Sequence, residues 1–221
     1  NDMKPQPTEP AYGQFNWENA DKIANFCRSN GIKLRGHCLM WHAQIGKWMY
    51  QDEKGNLVSK EKLFQNMKHH ITAIMERYKD VVYAWDVVNE AISDGGRPVM
   101  GQKPSPYRNS PLYQIAGDEF IKKAFIYARE ADPNVLLFYN DYNAADPQKR
   151  DRIYNMVKSM KEEGVPIDGI GMQGHYNIYG PSMEDVDAAL TKYSTIVKHA
   201  PTRKWEDIST SAARPATSAR Q

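Results

Sequence analysis

The chain has 221 residues, 41% of them hydrophobic and 25% charged, which is ordinary for one folded domain with a sizeable core. Its 29 basic and 27 acidic residues are interspersed, so they form no basic stripe of the kind that binds nucleic acid. No run approaches the roughly 18 to 20 apolar residues of a membrane span, and the first residues, NDMKPQPTEP, contain no signal peptide. We therefore expect neither nucleic acid nor a membrane as a partner.

From Trp17 to about His199, short apolar runs alternate with segments of helical period, a pattern typical of repeated βα units. Four runs are apolar on both faces and are predicted to be parallel strands: residues 32–41, 81–90, 135–143 and 168–176. Five segments with one apolar face are predicted to be helices, beginning near Trp17, Leu63, Phe120, Ile153 and Met183. The first residues, NDMK, look like the end of a further strand.

The loops that follow the strands are long and rich in Gly, Pro and aromatic residues, notably 42–59 and 91–116. A doubly wound sheet would carry a Gly-rich phosphate loop after a strand, and neither G-x-G-x-x-G nor G-x-x-x-x-G-K-[ST] occurs. We therefore predict an α/β fold of the TIM (β/α)8 type, incomplete, over residues 1–199. Residues 200–221 contain few large apolar side chains and are predicted to form an irregular tail.

Every predicted strand ends in polar side chains, which parallel strands bring to one face of a barrel. The four groups are His37, Trp41 and His42; Asn89 and Glu90; Asn140, Asp141 and Asn143; and Gln173 and His175. Any one of these residues alone would more often be structural, whereas four groups at the same end of successive strands indicate a site.

Two chemistries use a carboxylate among such residues. A hydrolytic metal site needs a close pair of ligands, and the spacing of His37 and His42 prevents one strand from presenting both. Glycoside hydrolysis needs two carboxyl groups, with Asn, His and Gln for sugar hydroxyls and Trp as an apolar floor. The polar set fits the second chemistry better, and we expect no metal and no cofactor.

Two other groups of residues are expected to be structural. His69 and His70 are adjacent on a predicted helix and cannot face one way, so we interpret them as structural or solvent-facing. Cys27 and Cys38 have neither metal spacing nor a disulfide framework. We interpret both cysteines as buried thiols rather than as a disulfide.

The runs LRGHCLMWHAQ, WDVVNEAISD, FYNDYN and GIGMQGHYNI closely resemble the family 10 glycoside hydrolases, the endo-1,4-β-xylanases. The resemblance extends from Asn1 to about His199 in the family's order and spacing. It implies a TIM barrel, retaining hydrolysis of β-1,4-xylan, xylan and xylo-oligosaccharides as partners, and secretion. By the same resemblance, Glu90 is the general acid/base.

The resemblance also implies a set of sugar-binding residues: Asn1, Lys4, His37, Trp41, Gln44, Asn89, Gln173 and His175. Within that set, Asn1 and Lys4 would contact sugars in the minus subsites, and Asn89 would bind the 2-hydroxyl of the sugar in the −1 subsite. Gln173 and His175 would position the nucleophile and the sugar.

The family's nucleophile is a Glu on the seventh strand, after a Lys-His pair such as Lys198-His199. Here the chain continues as KHAPTRKWEDISTS, and Glu206 is the one carboxylate near that place. Pro201 and the charged RKWED run do not favour a buried strand, so Glu206 is a weak candidate and no nucleophile is found. Strands seven and eight, the first strand and most of the second are expected to be missing, as in a chain truncated at both ends.

Two functions follow from that pattern. The chain is either an endo-1,4-β-xylanase or a catalytically silent, truncated xylan-binding remnant that lacks the nucleophile and is nearly inert. Strand edges left open in such a barrel are templates for pairing, so self-association is also expected.

Overall fold

Four parallel strands form one sheet in the computed structural model, which describes residues 1–95 and 105–199. They are β1 (Leu34–Trp41), β2 (Val82–Asn89), β3 (Leu136–Asp141) and β4 (Gly169–Met172). The strands pair in the order β1-β2-β3-β4, and all the pairings are parallel. Each predicted strand contains one of them, so the four strand predictions are confirmed.

Helices connect and flank these strands. They are α1 (Pro5–Thr8), α2 (Glu18–Ser29), α3 (Lys60–Tyr78), α4 (Pro111–Ala116), α5 (Glu119–Ala131), α6 (Pro147–Glu162) and α7 (Met183–Ser194), with a 3-10 turn at Lys47–Met49. The five predicted helices are α2, α3, α5, α6 and α7. Helices α1 and α4 were not predicted, because each begins at a proline and is too short to show a periodic apolar face.

The prediction that residues 1–4, NDMK, end a strand is wrong. Residues 1–4 form a turn in which the Lys4 N–H donates to the Asn1 carbonyl at 3.2 Å. Pro5 then begins α1, with Lys4 as the N-cap residue. The prolines of PQPT lack the N–H donors that a strand needs for its ladder, while Pro5 suits the first position of a helix.

Sheet order distinguishes the two α/β folds that the sequence left in competition. The strands follow chain order without reversal, as in a (β/α) barrel, whereas a doubly wound sheet reverses direction at a switch point. The four strands are thus successive members of a TIM-type barrel. Residues 200–221, predicted to be an irregular tail, lie outside the described residues, as does part of the loop after β2.

Helices α3 and α5 cover the outer face of the sheet with buried apolar side chains. Leu63, Met67, Ile71 and Ile74 lie along the buried face of α3, and Phe125 lies on α5. Across residues 1–95 and 105–199, no helix is both long enough and apolar enough to cross a membrane.

His69 and His70 hold one fully buried carboxylate. His70 Nδ1 lies 2.7 Å from Glu9 Oε2, and His69 Nε2 lies 3.0 Å from Glu9 Oε1. The Gly13 N–H also donates to Oε1 at 2.8 Å. These contacts tie α3 to the segment after α1 and confirm the predicted structural role. The expectation that the two adjacent histidines cannot face one way is wrong, because both rings reach the same carboxylate.

The two cysteines, Cys27 and Cys38, are both buried and unpaired, as predicted. Burial raises the pKa of the Cys38 thiol, mainly because desolvation disfavours its charged form. Cys38 thus remains a neutral, packed side chain in β1.

Close approach between β1 and β2 requires a glycine at position 36. A Cβ atom there would lie 2.3 Å from the ring of Trp85, which is buried on β2. We expect Gly36→Ala to lower the free energy of unfolding by about 1–3 kcal/mol, the usual effect of overpacking, as measured by urea denaturation. A Cβ at Gly174 meets nothing within 4 Å, so Gly174→Ala is the matched control. Equal stability of the two variants would contradict this account of the packing.

Candidate active site

The Glu90 carboxylate is held between side chains from two other strands. Trp41, the last residue of β1, donates from Nε1 to Glu90 Oε2 at 2.9 Å. Gln173, just after β4, donates from Nε2 to Glu90 Oε1 at 3.0 Å. Glu90 itself follows β2, so three predicted site residues converge from the carboxyl ends of three strands.

Asn89 is almost completely buried beside Glu90, and its amide has a defined orientation. Its Oδ1 atom accepts from Asn140 Nδ2 at 2.8 Å and from Gln173 Nε2 at 3.0 Å. Because two donors converge on the oxygen, the amide nitrogen is left to donate to a ligand. Asn140, on β3, thereby brings a fourth strand end into the site.

Gln173 links the other members of the site. Its amide nitrogen serves both Asn89 and Glu90, and its Oε1 atom accepts from Nε2 of the exposed His175 at 3.0 Å. Its backbone N–H donates to the Asp141 carbonyl at 2.9 Å. A single side chain after β4 therefore fixes the positions of two polar groups at the end of β2, Asn89 and Glu90.

Lys4 and Asn1 reach the same region from the start of the chain. Lys4 Nζ lies 2.6 Å from Asn1 Oδ1 and 4.5 Å from the centroid of the Trp41 ring, a cation–π contact. Gln44, in contrast, has an exposed side chain, and it is its carbonyl that accepts from the Gln6 N–H at 2.8 Å. The structure thus brings Asn1 and Lys4 to Trp41, and gives the Gln44 side chain no partner among the described residues.

His37 lies on the inner side of the sheet and is paired with Asp86. His37 Nδ1 is 2.8 Å from Asp86 Oδ2, while Arg35 donates to Asp86 Oδ1 from Nε at 2.9 Å and from a terminal nitrogen at 2.6 Å. The Arg35 guanidinium also lies 4.2 Å from the centroid of the Phe138 ring. Asp86 and Arg35 were not predicted, although a carboxylate inside the apolar run WDVVN was a visible signal.

A second charged cluster lies behind the site. Lys149 Nζ, which is buried, lies 2.8 Å from Asp141 Oδ1 and 2.6 Å from Asp94 Oδ1. Burial raises the pKa of Asp141 to about 6, although the charge of Lys149 opposes that change. The cluster joins the loop after β2 to β3 and α6.

Asp141 should make stability depend on pH. Its pKa of about 6 in the folded state exceeds the value of about 3.9 in an unfolded chain, so its contribution is greatest below about pH 4 and is lost as the pH rises to about 6. We expect the free energy of unfolding of Asp141→Asn, relative to the unsubstituted chain, to rise by about 1–3 kcal/mol from pH 4 to pH 7. Urea denaturation at several pH values measures this difference. A difference independent of pH would contradict the assignment.

A cavity of about 570 Å³ adjoins the site beyond His175. Its lining includes Asn143, Gln148 and Tyr179, together with the acidic residues Asp94 after β2, Asp146 after β3 and Asp185 on α7. Its volume falls within the range of small-ligand sites, and amide groups beside an aromatic ring suit a sugar.

A second carboxylate is not assigned among the described residues. Asp86 is occupied by Arg35 and His37, and Asp141 by Lys149. Glu206, the weak candidate from the sequence, lies outside the described residues.

Residues 1–200 match the family model described as "Glycosyl hydrolase family 10". An endo-1,4-beta-xylanase/feruloyl esterase of Xylanibacter ruminicola is 58% identical over 202 residues, which cover 89% of this chain and 28% of that protein. Endo-1,4-beta-xylanase B of Paenibacillus barcinonensis is 44% identical over 196 residues, covering 89% of this chain and 57% of that protein. The chain therefore spans between about a quarter and three fifths of the length of these relatives.

Solved structures show the same similarity. A psychrophilic glycoside hydrolase family 10 endo-beta-1,4-xylanase superposes with a TM-score of 0.86 at 70% sequence identity. The match covers 90% of this chain and 62% of that one.

Proposed function

The chain belongs to glycosyl hydrolase family 10, and we propose that it acts as a retaining endo-1,4-β-xylanase in which Glu90 is the general acid/base. The observation that carries this proposal is the placement of the Glu90 carboxylate between Trp41 Nε1 and Gln173 Nε2. Donors from the ends of two strands hold the carboxyl group at the carboxyl-terminal edge of the sheet, where a glycosidic oxygen could approach it. The xylanase names of its relatives support xylan as the substrate.

In this mechanism Glu90 first donates its proton to the leaving oxygen while a second carboxylate attacks the anomeric carbon. Glu90 then removes a proton from the water that hydrolyses the glycosyl-enzyme intermediate. The two carboxyl groups of retaining enzymes lie roughly 5 to 5.5 Å apart. Glu206 stays a weak candidate for the second group.

Sugar recognition is assigned to the residues around Glu90. Asn89 would donate from its amide nitrogen to the 2-hydroxyl of the sugar in the −1 subsite, because its oxygen already accepts two hydrogen bonds. Trp41 offers the apolar surface, and Lys4 and Asn1, which reach the same ring, would bind sugars on the minus side. His37 and His175 would contact the same sugars from either side of the cleft.

The cavity beyond His175 is proposed to take the sugars on the leaving-group side. Its lining includes His175 and residues of the loop after β3, and His175 contacts Gln173 beside Glu90, so a polysaccharide could run past Glu90 in both directions, as an endo-acting enzyme requires. Residues 1–199 would form a partial catalytic barrel, and residues 200–221 an irregular tail. Secretion and self-association stay predictions.

The test of this function is hydrolysis of soluble xylan by the purified 221-residue chain, followed by chromatography of the products. We expect a range of xylo-oligosaccharides at early times, which indicates internal cleavage, and no release from a soluble β-1,4-glucan. Binding of xylohexaose without any product would instead support the catalytically silent alternative. Cleavage of the glucan at the same rate would refute the assignment of xylan.

A further inference from the structure

The backbone of Glu90 adopts an unusual conformation. Its φ angle is 56°, and Gln44 and Asn143 are the other described non-glycine residues with positive φ. Side chains disfavour this left-handed region, so such a residue persists only where its surroundings hold it in place. The conformation lets the chain leave β2 while the carboxylate still reaches Trp41 and Gln173.

Two hydrogen bonds hold the peptide groups of Glu90. Its N–H donates to the Asn140 carbonyl at 2.9 Å, as a continuation of the sheet. Its carbonyl accepts from Arg108 Nε at 3.0 Å. The Arg108 backbone N–H also donates to the Ala91 carbonyl at 2.8 Å, so Arg108 contacts the main chain of two consecutive residues.

The Arg108 side chain is itself held from a different part of the fold. A terminal guanidinium nitrogen lies 3.0 Å from the Tyr142 hydroxyl and 3.4 Å from Asp94 Oδ2. The same hydroxyl donates to Asp94, whose other oxygen is 2.6 Å from the buried Lys149 Nζ. The guanidinium is therefore anchored through the segment after β3 and through α6, and its Nε–H has a fixed direction toward the Glu90 carbonyl.

We propose that Arg108 is a positioning residue for Glu90, which holds the left-handed main chain of the acid/base and thereby sets where its carboxylate lies. This inference rests on the proposed role of Glu90. Arg108 acts through a backbone carbonyl, so neither a charge alone nor a bulky side chain replaces it. The required feature is a directed N–H donor that Tyr142 and Asp94 hold in place.

The Trp41 indole N–H provides a readout that requires no turnover. It donates to Glu90 Oε2 at 2.9 Å, so its proton chemical shift reports where the carboxylate lies. In the nitrogen-15-labelled full chain, Trp41→Phe assigns the signal and Glu90→Ala gives its position without the acceptor. We expect Arg108→Gln to move the signal by more than half the difference that Glu90→Ala produces.

Arg152→Gln is the matched control. Arg152 donates to the Ser93 carbonyl at 3.1 Å, in the same loop after β2, but it is not hydrogen-bonded to Glu90. We expect its Trp41 signal to stay at the unsubstituted position. If Arg108→Gln fails to fold, Arg108→Lys keeps the charge without the directed Nε–H and should show the same displacement. An unmoved Trp41 signal in a folded Arg108 variant would overturn the proposal.

Kinetics separate this proposal from the proposed function. In Arg108→Gln we expect kcat on xylan to fall about tenfold or more, part of the 10²- to 10⁴-fold that general acid catalysis contributes. The loss should be smaller on an aryl xylobioside whose leaving group needs no proton, and equal losses on both substrates would contradict the positioning role. If the unsubstituted chain hydrolyses neither substrate, the proposed function fails, while the Trp41 signal still decides the role of Arg108.

Discussion

Glu90→Gln should lower kcat/KM on xylan by about 10²- to 10⁴-fold, the usual contribution of general acid–base catalysis. Trp41 and Gln173 donate to different oxygens of Glu90, and glutamine has one acceptor oxygen, so the variant can keep one of these two hydrogen bonds and its fold is checked by urea denaturation. Glutamine has no proton to give to the glycosidic oxygen. The measurement is the initial rate of reducing-end release from xylan by the full chain.

The dependence of the rate on the leaving group shows whether the lost function is that of a general acid. With an aryl xylobioside whose phenolate leaves unaided, the first step of Glu90→Gln should be nearly as fast as in the unsubstituted chain. Glu53→Gln, the same change at an exposed position, should leave both substrates unaffected. Full xylan hydrolysis by Glu90→Gln would exclude Glu90 as the acid.

Asn89→Ala is expected to produce the second largest loss, about 10²- to 10³-fold in kcat/KM on xylan. Hydrogen bonds to the 2-hydroxyl strengthen in the oxocarbenium-like transition state and supply several kcal/mol, and each 1.36 kcal/mol is a factor of ten in rate. Because the bond strengthens in the transition state, kcat should fall more than KM rises. Steady-state kinetics on xylopentaose give both constants.

The same substitution removes the acceptor shared by Asn140 and Gln173. Leaving buried donors unpaired costs about 1–3 kcal/mol of stability, so urea denaturation must accompany the kinetics. Asn56→Ala, at an exposed loop position, is the control for both measurements. A variant of Asn89 that loses stability but keeps kcat would limit this residue to a structural role.

The sequence predicted the four described strands because buried parallel strands are apolar on both faces and differ clearly from one-faced helices. Convergence of Trp41, Glu90 and Gln173 followed from the same topology, since parallel strands place their carboxyl ends at one face. Helices α1 and α4 were missed because a proline start on a short segment gives no periodic signal.

The remaining parts of the site depend on information that a linear pattern does not contain. The pairing of Arg35 with Asp86 depends on the register of β1 against β2, in which His37 lies opposite Asp86. The contact of Arg108 with the Glu90 carbonyl depends on the path of a long loop. No spacing rule relates two residues whose contact is set by such a path, so only the folded chain reveals it.

The stereochemical course of the reaction tests the central claim most directly, because a retaining enzyme with Glu90 as acid/base must release the β-anomer first. Proton NMR of xylopentaose hydrolysis by the full chain distinguishes the anomers before they equilibrate. Azide with an aryl β-xylobioside is the companion experiment, since a small anion in an empty nucleophile position would give an α-xylobiosyl azide. We predict the β-anomer as the first product and no α-azide. Release of the α-anomer first, or an inert chain that forms the α-azide, would contradict the account.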